Sequence, residues 1–521
     1  MALSYIINRT LKPNWRSPYD TFLNGELDST IVNPIVAPPA SIKSYIIDWK
    51  YNKSIPYAGE LIGAAITNNN VNDKDVLEAA EWIISHSGLQ DNHPLFELAK
   101  EIVIDSPCNA CGNQSVLSSL TQKYDEDIRR KIHSLRLGVN NAPRNAYRHI
   151  ELARTFLLVG ERDKAKLHTT IATQIAPNDR YVTRSAVRCF LHNGDYDQAK
   201  YVLSQNKRLK TDPWLLATDI SVELIRDKTP KNAKLAKDYL DRRIFSPRSF
   251  TEMAIALAVL ENKNGAKNKK IRHLIEMALY DPIDNSVAQA QWLNHLNPAL
   301  RLDFRDFSDL KFNYEVETYR ELNLDNFEVA YKNSIQWLKD SGFSHRAAIT
   351  TSNIAATYLN NVKASIEILK FGLRANPGAP ILLNNLAYQL LKDNQVSLAE
   401  KELKRVDYRK IIPNETLICL KATTGLLNFR KKQYDKGTIL YMEAIEIAKK
   451  NKDYRHENLA LLNLSYEQYK AGLITKNDAI NKISTLRLHN EKWINVQIDT
   501  FLKLILSDKC ETAKTDNSDN I

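Results

Sequence analysis

The sequence predicts an all-α protein assembled from consecutive antiparallel helix pairs, and three observations carry that expectation. Landmark residues return every 34 positions: Phe156 and Phe190, Gly160 and Gly194, Ala165 and Ala199. A fixed period of roughly 20–50 residues signals stacked supersecondary units. Glycine is scarce, 15 in 521 residues, well under the roughly 7% of ordinary proteins. Long glycine-poor stretches favour helix over strand and turn. No apolar run approaches the ~18 residues of a membrane-spanning helix, and "MAIALAVL" from Met253 is among the longest.

Taken in order, residues 1–54 read as an irregular, proline-containing arm, with "NPIVAPPAS" from Asn33 resisting helix. Residues 55–140 read as an atypical helical region. There "YAGELIGAAI" and "DVLEAAEWII" flank the polar turn "TNNNVNDK". Their alanine pairs, Ala64-Ala65 and Ala79-Ala80, let two helices approach closely. Residues 141–300 form a first repeat array and residues 301–505 a second, ending in a capping helix. The register breaks between them, from Pro298 to Leu310. The polar tail over residues 506–521 has the composition of a disordered segment.

The 34-residue unit resembles the tetratricopeptide repeat, a helix pair with small residues at its eighth, twentieth and twenty-seventh places. Ala153, Ala165 and Ala172 occupy those places in one unit, and Gly425, Gly437 and Ala444 in another, with Tyr441 at the aromatic place between. Ala387 and Ala399 match again, while the unit around Ile354 has a short turn and carries Ser365 and Gly372 where alanine is usual. Such places hold small residues because the two helices cross there. Pro177 and Pro377 close one unit and open the next. The resemblance implies a right-handed superhelical solenoid whose first-of-pair helices line a concave groove.

Three motifs in the second array then draw attention: Asn353-Ile354-Ala355, Asn385-Leu386-Ala387 and Asn463-Leu464-Ser465. Asparagine is a poor helix former, and in the repeat register all three fall at the sixth place, toward the groove. An amide offers one donor and one acceptor, which matches a peptide unit of a bound chain. Asn353, Asn385 and Asn463, with Asn384, Tyr388 and Tyr466 beside them, are therefore candidate partner-binding residues that resemble the asparagine ladders of some family members. The alternative is that these amides bond neighbouring helices. In the first array Arg154, Arg184 and Arg188 stand at groove places. Arginine forks take carboxylates, so these three are candidates for an acidic partner segment, or for ion pairs within the array.

Cys108 and Cys111, in C-x-x-C spacing, form the one motif of metal type. Structural zinc needs four ligands and no second cysteine pair follows, so a loop without metal is expected. The alternatives are zinc completed by His86, His93 or His133, or a redox dithiol. No cofactor is expected, and no nucleotide-binding, metalloprotease or serine-hydrolase motif is present. The net charge of +11 leaves a nucleic-acid-binding basic solenoid as the rival function, and an unfamiliar enzyme site in residues 1–140 as a weaker one. Five cysteines and the absence of a leader-like start point to a cytoplasmic protein, and the lysine- and asparagine-rich composition has a bacterial look. The reading is a non-catalytic adaptor that holds a partner protein or an extended peptide in its groove and regulates or localises a partner enzyme. Partner identity and oligomeric state are not written in the sequence.

Overall fold

Helix boundaries in the repeat region follow local chemistry. Asn145 and Asp179 each accept a backbone N–H three residues on, starting α7 (Ala146–Leu158) and α9 (Arg180–Asn193). Asp212 accepts from Trp214 and Leu215 to start α11 (Pro213–Ile225). These are the orphan donors of a helix N-terminus, satisfied by short polar side chains. Gly160 and Gly194 end α7 and α9 with φ of +79° and +80°, the left-handed conformation that glycine adopts at least cost.

The computed structural model describes residues 9–26, 42–67, 73–86, 94–104, 116–302, 304, 307, 309–487 and 492–507. Among them there are helices and no strand. The chain divides into two compact units, one of residues 16–123, the other of residues 1–15 with 124–521.

The smaller unit contains α1 (Pro18–Leu23), α2 (Ile42–Tyr51), α3 (Ile55–Thr67), α4 (Lys74–His86), α5 (Pro94–Ile104) and the start of α6 (Val116–Asn141). Helices α2 to α5 pack each on the next, around Trp49, Leu61, Ile62, Ile83 and Phe96. Ala65, Ala79 and Ala80 are fully buried where α3 meets α4. Helix thus begins before position 55, because Ile42, Tyr45, Ile46 and Trp49 give α2 an apolar face for this core. The proline-rich stretch from Asn33, the Cys108 and Cys111 motif with His93, and residues 508–521 lie outside the described residues.

The larger unit is a solenoid of antiparallel helix pairs. Its pairs are α7 with α8 (Arg162–Ile175), α9 with α10 (Tyr196–Gln205), α11 with α12 (Ala233–Asp241), and α13 (Pro247–Lys263) with α14 (Asn268–Ala278). Next comes α15 (Asp284–Leu296), followed by a 3-10 turn at Pro298–Leu300 in place of a second helix. The pairs resume with α16 (Tyr314–Asn323) and α17 (Phe327–Asp340), then α18 (His345–Asn353) and α19 (Val362–Ala375). They continue with α20 (Pro380–Lys392) and α21 (Val396–Lys404), α22 (Asn414–Arg430) and α23 (Tyr434–Lys450), and α24 (Tyr454–Lys470) and α25 (Lys476–Ser484). The last helix is α26 (Lys492–Ser507). First-of-pair helices also touch the next first-of-pair helix, as α7–α9, α11–α13, α20–α22 and α22–α24 do, which makes them the inner layer.

The repeat landmarks sit where the helices cross. Ala153, Ala165, Ala172, Ala387, Ala399 and Ala444 are fully buried. A Cβ on Gly425 would lie 2.8 Å from the Tyr441 ring and 3.0 Å from the Gly437 carbonyl, so only hydrogen fits. In the Ile354 unit the short turn is absorbed by a π-helical turn at Ile354–Tyr358, and a Cβ on Gly372 would meet the Ala348 Cβ at 2.5 Å.

The first array also closes onto the second. α7 reaches α19, and a Cβ on Gly160 would stand 2.4 Å from the Arg374 carbonyl oxygen. His192 Nε2 lies 3.3 Å from the Ala375 carbonyl oxygen, and the Arg188 guanidinium sits 4.8 Å over the Phe343 ring.

Candidate functional site

Inside that closed turn the first-of-pair helices present polar side chains: Arg184 from α9, Glu252 from α13, and Asn285 and Gln289 from α15 are buried, and Glu315 from α16 and Arg346 from α18 are half-buried. A segment of the chain itself lies against them. Residues 9–15, "RTLKPNW", alternate in burial: Arg9, Leu11, Pro13 and Trp15 are buried, Thr10 is exposed, and Lys12 and Asn14 are half-buried. Period-two burial is the signature of an extended chain on a surface.

Arg9 anchors the segment. It is 8% exposed and donates from Nε to Glu315 Oε1 at 3.0 Å, from Nη1 to Gln289 Oε1 at 2.6 Å and from Nη2 to Asn285 Oδ1 at 2.8 Å. Asn285 uses its amide in both senses. Its Nδ2 donates to the Lys12 backbone carbonyl at 3.0 Å and to Glu252 Oε1 at 2.6 Å. Asn14 Nδ2 donates to Asp284 Oδ1 at 3.2 Å. Leu11 joins the apolar core of α11, α13 and α15, and the Trp15 ring lies 5.8 Å from Phe343. The network extends through Arg184 Nη1 to Glu252 Oε2 at 2.8 Å, and through Arg346 Nη1 to Glu315 Oε1 at 2.6 Å.

A carboxylate joins the cations at one end of the segment, and none does at the other among the described residues. Burial pushes the Glu315 carboxyl up, but the Arg346 and Arg9 guanidinium groups outweigh it and hold the group at about 2. Around Lys12 the sign is reversed. Burial, with Arg188 and Arg346 alongside, brings the Lys12 ammonium down to about 7. Burial and the same cations, Lys12, Arg346 and Arg188, bring His345 to about 3. His192 falls to about 3 through burial, Arg188 and Arg162. Among the described residues no carboxylate pairs with Arg188 or with the Lys12 ammonium. A cavity of about 320 Å³ adjoins Glu315 and Arg346, with Trp292, His295, Tyr319 and Arg320 among its lining.

The candidate residues from the sequence fall into two places. Arg184 pairs with Glu252 and stacks 5.0 Å from the Trp214 ring. Arg154 forks onto Glu151, at 3.2 and 3.1 Å. Arg188 lies over Phe343, the ring that the segment's Trp15 also contacts. In the second array Asn353, Asn384, Asn385, Tyr388 and Asn463 are all buried. Tyr388 OH donates to Asn463 Oδ1 at 3.3 Å, Asn463 Nδ2 to the Leu459 carbonyl at 2.8 Å, and Asn384 Nδ2 to Asn385 Oδ1 at 3.1 Å. Tyr466 stacks on Phe501 with ring centroids 4.5 Å apart. The structure therefore brings Tyr388 and Asn463 together, and Asn384 with Asn385, while Asn353 sits at the end of α18.

The sequence reading missed Arg9, Glu252, Asn285, Gln289, Glu315 and Arg346. The one local signal was the alternation of Leu11, Pro13 and Trp15 with polar residues. No group of three metal-ligating side chains occurs among the described residues, and no described helix is long and apolar enough to cross a membrane.

No family model matches the chain, and no curated protein matches it. Solved structures with a loose likeness include yeast Tom70, 14% identical with a TM-score of 0.32, covering 89% of this chain and 96% of that one. Human IFIT1, solved as a dimer with PPP-AAAA, is 11% identical with a TM-score of 0.28, covering 89% of this chain and 93% of that one. The chain is an all-α solenoid of helix pairs. Likeness at this level assigns neither family nor ligand.

Proposed function

We propose that this protein is a tetratricopeptide-like scaffold, without chemistry of its own, that holds an extended segment of a partner protein against its first-of-pair helices. One observation carries the reading: the inner layer already holds an extended heptapeptide, residues 9–15. It does so with an amide on a backbone carbonyl, a forked anchor for Arg9 and an aromatic contact for Trp15. These are the means by which a groove takes an extended peptide, by its backbone and by side-chain anchors. Glu252, Asp284 and Glu315 on the same surface support a protein ligand over a nucleic-acid backbone, whose phosphates they would repel. Asn353, Asn384, Asn385, Tyr388, Asn463 and Tyr466 extend the reading into the second array, where a ligand would have to exchange the Tyr388–Asn463 and Asn384–Asn385 bonds and the Tyr466–Phe501 stack.

The test is selection of displayed random peptides on the full-length chain, repeated on Glu315→Gln. Recovery of peptides that bind the native chain and lose at least about tenfold in affinity on the variant, the worth of one charge-assisted bond, supports the reading. Peptides that bind both chains equally, or enrichment of none, would refute it.

A further inference from the structure

The seat of residues 9–15 fits its occupant well at one end and poorly at the other. Arg9 meets three acceptors on two helices. Three positions on, burial together with the Arg188 and Arg346 cations works against the Lys12 charge, and Arg188 lies over Phe343, the same ring that Trp15 contacts three positions further along the segment. Arg346 has the Glu315 carboxylate, which it shares with Arg9. Arg188 has a ring face, Phe343, and no carboxylate among the described residues. Three positions further, Trp15 is 3% exposed and its ring suits the Phe343 shelf, yet its Nε1 is buried without a hydrogen-bond partner. Placing like charges together out of water is unfavourable unless an anion joins them, and a buried donor without an acceptor is costly.

We propose that this seat is the docking site for an extended partner segment carrying an arginine, an acidic residue three positions later and an aromatic ring six positions later, with residues 9–15 as the weaker resident that such a segment displaces. The proposal rests on the scaffold reading above and adds the partner's chemistry. The arginine takes the Glu315, Gln289 and Asn285 acceptors, and the acid meets Arg188 in the fork that a guanidinium offers a carboxylate. The ring, phenylalanine serving as well as tryptophan, packs on Phe343. Because the resident segment is tethered, it competes at high effective concentration, so an incoming segment needs the acidic residue to win.

Two experiments on the full-length chain test this. The first uses fluorescent peptides RTLKPNW and RTLEPNW, titrated into native protein and into Arg9→Ala, which weakens the resident. RTLEPNW should bind at least about tenfold tighter than RTLKPNW, since a charge-assisted pair is worth that much. Both should bind Arg9→Ala tighter than native, and Arg188→Gln should remove most of the preference. The second is a cycle within the chain that needs no added ligand. Lys12→Glu should raise the melting temperature by about 1–3 °C, and that gain should fall by half or more in an Arg188→Gln background. Equal binding of the two peptides, or a Lys12→Glu effect that is negative or independent of Arg188, would overturn the acidic specificity and leave the scaffold reading standing. Failure of both peptides to bind Arg9→Ala would overturn the two readings together.

Discussion

Gly160 and Gly194 are the same position of two successive repeats, and the pair isolates the closure of the first array onto the second. Both end a first-of-pair helix with nearly equal positive φ, and both donate to the carbonyl three residues back, Leu157 or Leu191. Alanine at either adds left-handed strain of about 1–2 kcal/mol. At Gly194 nothing lies within 4 Å of the added methyl, whereas at Gly160 it would stand 2.4 Å from the Arg374 carbonyl oxygen. That is roughly an ångström short of an ordinary C···O contact, so the two arrays must part or the loop must shift, which adds about 1–3 kcal/mol of overpacking. Gly194→Ala should therefore cost about 1–2 kcal/mol and Gly160→Ala about 2–5 kcal/mol. Hydrogen exchange is the suitable assay, because it reads opening locally, at the amides beside the contact. In Gly160→Ala the amides at the end of α19 should exchange faster, and in Gly194→Ala they should not. Equal costs, or unchanged exchange in α19, would refute the closure.

Other outcomes follow from the same geometry. Ala153→Leu and Ala399→Leu should each lower stability by about 1–3 kcal/mol through overpacking at helix crossings, measured by urea titration of the melting signal. Asn463→Ala should lower the melting temperature, at a cost of about 1–3 kcal/mol, because it strands the buried Tyr388 hydroxyl; an unchanged melt with weakened peptide binding would instead favour a ligand-facing role. Stability should also fall on acidification. His192 and His345 sit at about 3 in the fold against roughly 6.5 unfolded, so the unfolded chain binds more protons between those values and stability declines as pH drops below about 6.5. Glu315, held at about 2, adds a loss between roughly pH 4.5 and 2 as its ion pairs are protonated away. Melting curves from neutral pH down to about 4 should show the decline, and His192→Gln should flatten it.

The repeat was legible because a helix crossing admits only small side chains. Ala153, Ala165, Gly425 and Gly437 had to be small, and their spacing wrote the period into the sequence. The start of α2 was hidden by the prolines that follow Asn33, although Ile42, Ile46 and Trp49 carry a helical stripe. The site was harder to read for a different reason: its contacts are remote. Arg9 and Glu315 are 306 positions apart, and Arg184 finds Glu252 after 68. Reading Arg184 as a groove residue needs only the repeat register. Knowing that an acid already meets it needs the accumulated rotation of several helix pairs, and no local pattern encodes that. Closure of the first array onto Phe343 and Arg374 depends on the same accumulation.

The central claim is that the inner layer is a peptide-binding surface occupied by residues 9–15, and fluorine NMR of the chain labelled with fluorotryptophan tests it most directly. The Trp15 resonance, assigned by its loss in Trp15→Phe, reports burial against Phe343. Adding the peptide RTLEPNW should move that resonance to the position of a solvent-exposed indole while Trp214, packed on Arg184 in the inner layer, stays buried. A peptide that binds while the Trp15 resonance stays in place would contradict the account, because the ligand would then be seated somewhere other than on the surface that residues 9–15 cover.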